Sequence, residues 1–153
     1  MTLLHTRVPP LLLTLLLLLT LWLLTWVTPE FQVYNPVRLL VAGLMLAVGG
    51  YFCIAGVLVF RRANTSVDPC HPDMASSLVT EGVYQISRHP MYVGFACLLV
   101  AWGVYLASPW LLLVLPIFML WIYYFQICPE EKILENKFGQ VFLDYKARVP
   151  CWL

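Results

Sequence analysis

Tyr92–Ile127 reads YVGFACLLVAWGVYLASPWLLLVLPIFMLWIYYFQI, and this stretch decides the fold. It is apolar almost throughout and is interrupted once, at Ser108-Pro109. Two residues are too few for anything but a tight turn. The stretch therefore predicts two antiparallel helices, Tyr92–Ala107 and Trp110–Ile127, joined as a hairpin. A bilayer core of ~30 Å takes ~20 apolar residues per helix, with ~17 as the lower end. The first arm is short, but Pro90 can open it, because proline at the first helical position loses no hydrogen bond. Pro116 removes a helix hydrogen bond and predicts a kink in the second arm.

Working outward, two more hydrophobic runs precede the hairpin. Leu11–Val27 is nearly all leucine, and Val37–Phe60 carries Gly43, Gly49, Gly50 and Gly56. Glycines at such positions allow helices to approach closely. The first run follows Arg7, as a signal peptide would, but no small-x-small cleavage site follows it, and it reads as a retained, lipid-facing anchor. Trp22 and Trp26 near its exit suit the interfacial aromatic belt. The expected fold class is all-α: a polytopic membrane protein with four transmembrane helices and a C-terminal amphipathic interfacial helix. That last helix starts near Glu130, with Leu134, Phe138, Val141, Phe142 and Tyr145 at helical spacing. Gly139 in its middle costs ~1 kcal/mol relative to alanine. The chain divides into two anchoring helices, 1–60, and a core, 61–153.

Composition agrees. The chain has 153 residues, 61% of them hydrophobic and only 11% charged, and its mean hydropathy is +0.82. A soluble domain of this length could not bury so much apolar surface. A net charge of +1 leaves no basic face for nucleic acid. The five cysteines form no disulfide framework, and Cys70-His71 with Cys128 and Cys151 lacks the spacing of a metal site, so no metal is expected.

Orientation follows from the basic residues. With both termini cytosolic and four spans, Arg7, Arg61, Arg62, Arg88, Lys132, Lys137, Lys146 and Arg148 share the cytosolic side, leaving Arg38 opposite. The loop from Arg61 to Met91 and the tail from Cys128 then face one another across the hairpin's open end. Arg88-His89 stands where the hairpin begins and Glu130-Glu131 where it ends. Ionisable groups at a bilayer boundary are costly and usually functional. Plainer roles exist for each. Arg88 and His89 can face lipid headgroups, Glu130 and Glu131 suit a helix N-terminus, and Tyr84 and Tyr92 can be belt aromatics.

Several motifs occur in order: Leu78-Val79-Thr80-Glu81-Gly82-Val83-Tyr84, Arg88-His89-Pro90-Met91-Tyr92-Val93-Gly94, Pro129-Glu130-Glu131, Phe138-Gly139, Tyr145-Lys146 and Arg148-Val149-Pro150. Together they resemble the isoprenylcysteine carboxyl methyltransferase family, related to the phospholipid N-methyltransferases. The resemblance covers roughly residues 60–153. It implies an integral-membrane methyltransferase that uses S-adenosylmethionine and a lipophilic small-molecule or lipid acceptor, here in a bacterial inner membrane. By position, Ser77, Leu78 and Val79 would line the cofactor pocket, with Tyr84 beside the adenosine. His89 and Tyr92 would hold its amino-acid end, and Glu130 would bind its amino group or ribose. Arg88 would complement the ligand carboxylate or anchor the acidic pair, and Glu131 would be structural or a partner of Arg88. A carboxylate acceptor needs no base, whereas an amine or hydroxyl would need one, and His89 or Glu131 could serve. Gln126 stands about one turn before Glu130, where eukaryotic members of the family carry an arginine. Glutamine hydrogen-bonds a carboxylate without neutralising it, which leaves the acceptor open between prenylcysteine carboxylate and phospholipid amine. A non-catalytic scaffold or transporter-associated protein is the reading from another class. A transporter is expected to place polar groups at mid-span, and the last three spans carry no charge there.

Overall fold

The computed structural model describes residues 9–28, 34–62 and 77–153. Arg7, Glu30 and the loop residues up to Ser76, Cys70-His71 among them, lie outside the described residues. The described secondary structure is helical, with no strand. The helices are α1 (Pro10–Leu24), α2 (Asn35–Arg62), α3 (Pro90–Tyr105), α4 (Leu111–Ile122), α5 (Cys128–Phe138) and α6 (Gln140–Arg148). A short 3-10 turn, Gly82–Gln85, precedes α3. Gly82 takes the positive φ of +60° that this turn requires.

Two described helical stretches are long and apolar enough to cross a bilayer, Asn35–Arg62 and Leu111–Phe138. The expectation of four spans therefore meets a difference: α1 has 15 residues and α3 has 16, below the usual spanning length. Pro90 opens α3 at its first turn, as its fixed φ favours. The apolar part of the last stretch ends at Ile127, and α5 beyond it carries Glu130, Glu131, Lys132, Glu135 and Lys137.

Between α4 and α5 the backbone widens into a π turn, Tyr123–Ile127. Pro116 lies inside α4 without ending it. The departure from α geometry comes later, just ahead of Pro129. A proline ring collides with the carbonyl four residues back in a regular helix, and a widened turn relieves that collision. The widening turns Gln126 and Ile127 into the interior.

The helix α3 is the centre of the bundle, with α2, α4 and α1 packed around it. One face carries Tyr92 and Leu99 into a core with Leu21 of α1, Val114, Phe118 and Ile122 of α4, and Ile127. The first run is thus more than a lipid-facing anchor: Leu21 is fully buried. Trp102 donates its indole N–H to the Leu18 carbonyl at 3.0 Å, and Trp110 donates to Thr28 Oγ1 at 3.2 Å.

The opposite face of α3 meets α2 backbone to backbone. A methyl on Gly94 would come 2.5 Å from Cys53 Sγ and 2.9 Å from the Gly49 carbonyl oxygen. Of the four α2 glycines expected to serve packing, Gly49 and Gly56 do so, and Gly43 and Gly50 have open space where a Cβ would go. Gly94→Ala is expected to destabilise the bundle by about 1–3 kcal/mol, the usual cost of overpacking. Thermal unfolding in detergent reads this directly, and an unchanged midpoint would show that α2 and α3 separate at no cost.

The C-terminal segment is two helices rather than one. Gly139 stands between α5 and α6 with φ +55° and ψ −128°, a conformation essentially confined to glycine. The break lets α6 fold back. Its Phe142 and Tyr145, with Val149, form a small core against Leu78, Leu134 and Phe138. Much of the apolar stripe expected to meet the bilayer is therefore spent on the loop before the hairpin.

Candidate active site

The hairpin's open end brings two sequence stretches together. Arg88 and His89 precede α3, and Glu130 and Glu131 occupy the first turn of α5. Arg88 donates from Nε to Glu131 Oε1 at 2.8 Å, and its Nη2 lies 2.7 Å from the same oxygen. Its Nη1 donates to the Lys146 carbonyl at 3.2 Å and closely to the Val149 carbonyl. The Arg88 backbone N–H donates to the Pro150 carbonyl at 3.0 Å. Lys146 Nζ completes the arrangement, 2.8 Å from Glu131 Oε2. Arg88 is thus a strap between the hairpin and the end of α6, and Glu131 is its counter-charge.

Burial by itself would raise the Glu131 carboxyl. Hydrogen bonds from His89, Lys146 and Arg88, with the arginine charge, outweigh it and hold the group down at about 2. The same pairing with Glu131 raises Lys146. Glu130 differs. Burial pushes its carboxyl up, although the His89 charge and the Tyr92 hydrogen bond oppose the shift. Tyr92 donates its hydroxyl to Glu130 Oε2 at 2.9 Å. His89 Nδ1 lies 3.9 Å from that oxygen, and its Nε2 lies 3.3 Å from Glu131 Oε1. The His89 and Tyr92 rings stack with centroids 5.5 Å apart and planes within 5°. Two adjacent carboxylates therefore have opposite characters: Glu131 is saturated by cations, and Glu130 has one oxygen held by a phenol and little compensating charge.

Of the remaining residues singled out from the sequence, Gln126 and Tyr84 lie near this pair. Gln126 is fully buried and within hydrogen-bonding reach of Tyr92. Tyr84 is buried against Phe52, Val83 and Val93, and burial together with the Glu130 charge raises its hydroxyl. Leu78 joins the α6 core and Val79 joins the Tyr84 cluster, so the two diverge. Ser77 is exposed.

Several residues in this architecture were not singled out as site residues from the sequence. Ser87 is buried, donates to the Cys151 carbonyl at 3.1 Å and accepts the His89 backbone N–H at 3.1 Å. Tyr145 donates to the Tyr84 carbonyl at 2.7 Å, fastening α6 over the 3-10 turn. Tyr145 belongs to a motif and to the apolar stripe already quoted, whereas Ser87 lies between two motifs and carries no such signal. His89, Glu131 and Cys151 also present possible ligand atoms within 4.8 Å of one another. Both Glu131 oxygens already accept from cations, which leaves a metal ion little charge to attract it there.

Residues 37–141 match the phospholipid methyltransferase family. Relatives include protein-S-isoprenylcysteine O-methyltransferase B of Arabidopsis thaliana, 32% identical over 69% of this chain and 54% of the relative. The Rattus norvegicus protein-S-isoprenylcysteine O-methyltransferase is 34% identical over 73% of this chain and 40% of the relative. The enzyme of that name from Saccharomyces cerevisiae is 41% identical over 47% of this chain and 30% of the relative. The chain spans about half or less of the length of these relatives. No solved structure matches it. The matched region runs from the start of α2 to the start of α6, and so contains the α2–α3 contact, the hairpin and both carboxylates. On that match this chain belongs to the phospholipid methyltransferase family.

Proposed function

We propose that this protein is an integral-membrane methyltransferase that uses S-adenosylmethionine to methylate a lipid-like acceptor, the carboxylate of a prenylated cysteine before all others. The observation that carries the reading is the contrast between the two carboxylates. Glu131 is buried and neutralised by Arg88 and Lys146, whereas Glu130 is half-buried, oriented by Tyr92, and faces His89 alone, at 3.9 Å. A half-buried carboxylate in that condition suits a cationic ligand, and S-adenosylmethionine carries an ammonium and a sulfonium. The donor set fits that group: Glu130 for the ammonium, Tyr92 and His89 to hold Glu130, and Tyr84 and Val79 as apolar walls.

When bound, the cofactor supplies a methyl group already activated for in-line displacement. The protein's part is then positioning and exclusion of water. The strap from Arg88 to α6 holds the C-terminal segment over the site. Gln126 lies beyond Tyr92 on the α4 side, where an amide can orient an acceptor carboxylate without a fixed charge. A phospholipid amine is the second acceptor to test, and the family description favours including it. In this reading all four apolar helices lie in the membrane, with α1 and α3 completing the bilayer thickness through their flanking residues. Both termini are cytosolic, the membrane is a bacterial inner membrane, and residues 61–153 form the methyl-transfer core.

Titration calorimetry of the detergent-purified protein with S-adenosylmethionine is the test. Glu130→Ala should weaken binding by roughly 10–100-fold, the weight of a charge-assisted hydrogen bond in a buried site. Wild-type binding then justifies assays with S-prenylated cysteine and with phosphatidylethanolamine. A folded wild-type sample that ignores the cofactor would leave a scaffold role in place of an enzyme.

A further inference from the structure

Tyr84 and Val79, on the cofactor side of the site, pack with Phe52 and Val93. Tyr92 and Ile127 belong to a different core, which runs along α4, the side on which Gln126 meets Tyr92. Among the partly buried hydrophobic side chains described, Trp152 alone packs against both groups. It is half-buried, so part of its ring is left uncovered by the protein.

The position of Trp152 is set by the residues just ahead of α3. The Arg88 backbone N–H donates to the Pro150 carbonyl at 3.0 Å, and the Ser87 hydroxyl donates to the Cys151 carbonyl at 3.1 Å. Ser87 also accepts the His89 N–H at 3.1 Å. The segment is therefore fastened to the histidine that faces both carboxylates. The Cys151 sulfur lies within 4.8 Å of ring and carboxylate atoms of His89 and Glu131. Consecutive Cα atoms are only ~3.8 Å apart, so the next side chain, Trp152, leaves the backbone beside the same cluster.

We infer that Trp152 is a specificity-determining residue of the methyl-transfer site: its indole face covers the cofactor sulfonium and strengthens S-adenosylmethionine relative to its demethylated product, S-adenosylhomocysteine. The inference rests on the cofactor proposed above. Methyl transfer needs a point that borders the cofactor side and the acceptor side together, and Trp152 is the side chain that borders both.

The chemistry divides the two positive charges of the cofactor. An ammonium has N–H groups to give, and Glu130 can accept them. A sulfonium has none. An aromatic face attracts such a cation through its quadrupole, and indole does so most strongly. The neighbouring tyrosines are already engaged. Tyr92 stacks on His89 with centroids 5.5 Å apart, Tyr84 meets Phe60 edge-on at 5.3 Å, and both are buried. Trp152 is the aromatic at this junction that keeps open surface. Transfer of the methyl leaves a neutral thioether, which the ring no longer attracts as a cation, so the same contact favours release of the product.

Titration calorimetry of the detergent-purified protein, with S-adenosylmethionine and with S-adenosylhomocysteine, reads the effect as a ratio of two affinities. Trp152→Leu should shift that ratio about three- to thirtyfold against S-adenosylmethionine, and Trp152→Phe should keep most of the preference. A ring that only wedges the two groups of residues apart would weaken both ligands alike. An unchanged ratio in Trp152→Leu therefore overturns the inference and leaves the proposed activity standing. Wild-type protein that binds neither ligand overturns both. A second reading needs no substitution. Ultraviolet irradiation of the wild type with methyl-labelled S-adenosylmethionine should place label in the peptide containing Trp152, and excess unlabelled cofactor should remove it. Label confined to other peptides, or none at all, refutes the contact.

Discussion

Arg88→Ala is expected to cost on the order of 3–5 kcal/mol and to free the C-terminal segment from the bundle. The arginine side chain is 10% exposed and its Glu131 partner 9%. Removing one member of a buried pair leaves the other's charge in a poor environment, and that penalty exceeds what the pair contributes in net stability. Here Lys146 remains on Glu131, but three carbonyls, those of Lys146, Val149 and Pro150, meet Arg88 through its side chain or backbone. The backbone contact survives the substitution and the side-chain contacts do not. Limited proteolysis should therefore cut the variant near Gly139, at concentrations that leave the wild type intact, alongside a lowered unfolding midpoint. Arg88→Lys should recover little, because an ammonium cannot span Glu131 and two carbonyls as a guanidinium fork does. A variant with native midpoint and native protease resistance would mean that Tyr145 and the Phe142 cluster hold α6 unaided.

Acid should unfold the protein through Glu131. Its folded carboxyl sits at about 2, against 4.5 for the ordinary group. A depressed folded value stabilises the protein above the unfolded value and loses that contribution as pH falls toward the folded one. The contribution is on the order of 3 kcal/mol, fully present above about pH 5 and gone near pH 2. Glu130 acts the other way. Burial raises its folded value, so protonation of Glu130 favours the folded state and partly masks the loss. Stability measured against pH in the Glu130→Gln background should show the steeper acid decline, and Glu131→Gln should flatten it. Equal slopes in both variants would take the acid response away from Glu131. Lys146 is more exposed, and its raised value places its own loss at the alkaline end, as pH rises through the folded value.

The two carboxylates were the part of the site most visible in the sequence. Scarce charge at the edge of an apolar stretch draws attention because the bilayer makes it expensive. The hairpin of Tyr92–Ile127 then leaves only one way for Arg88-His89 to find Glu130-Glu131. The resemblance assigned Glu131 to Arg88 and Glu130 to the ligand, and Glu131 does pair with Arg88; that Lys146 would join it was not legible. The Lys146 contact depends on α6 folding back, which depends on Gly139 adopting a backbone that periodicity cannot register. Read as one stripe, Leu134 to Tyr145 looked like a membrane-surface helix. Broken at Gly139, its apolar residues became the cover over Leu78 and the 3-10 turn. Lys146 resembles any interfacial lysine until the break carries it to Glu131.

Hydropathy, turn residues and the placement of basic side chains thus determined the all-helical class, the hairpin and the face on which its ends meet, because each depends on transfer of local segments between water and hydrocarbon. Tertiary structure alone decided the contact of Lys146 with Glu131, the inward turn of Gln126 and the α2–α3 contact through Gly49 and Gly94. Those depend on distances of a few ångströms between segments far apart in the chain, and no local pattern carries them.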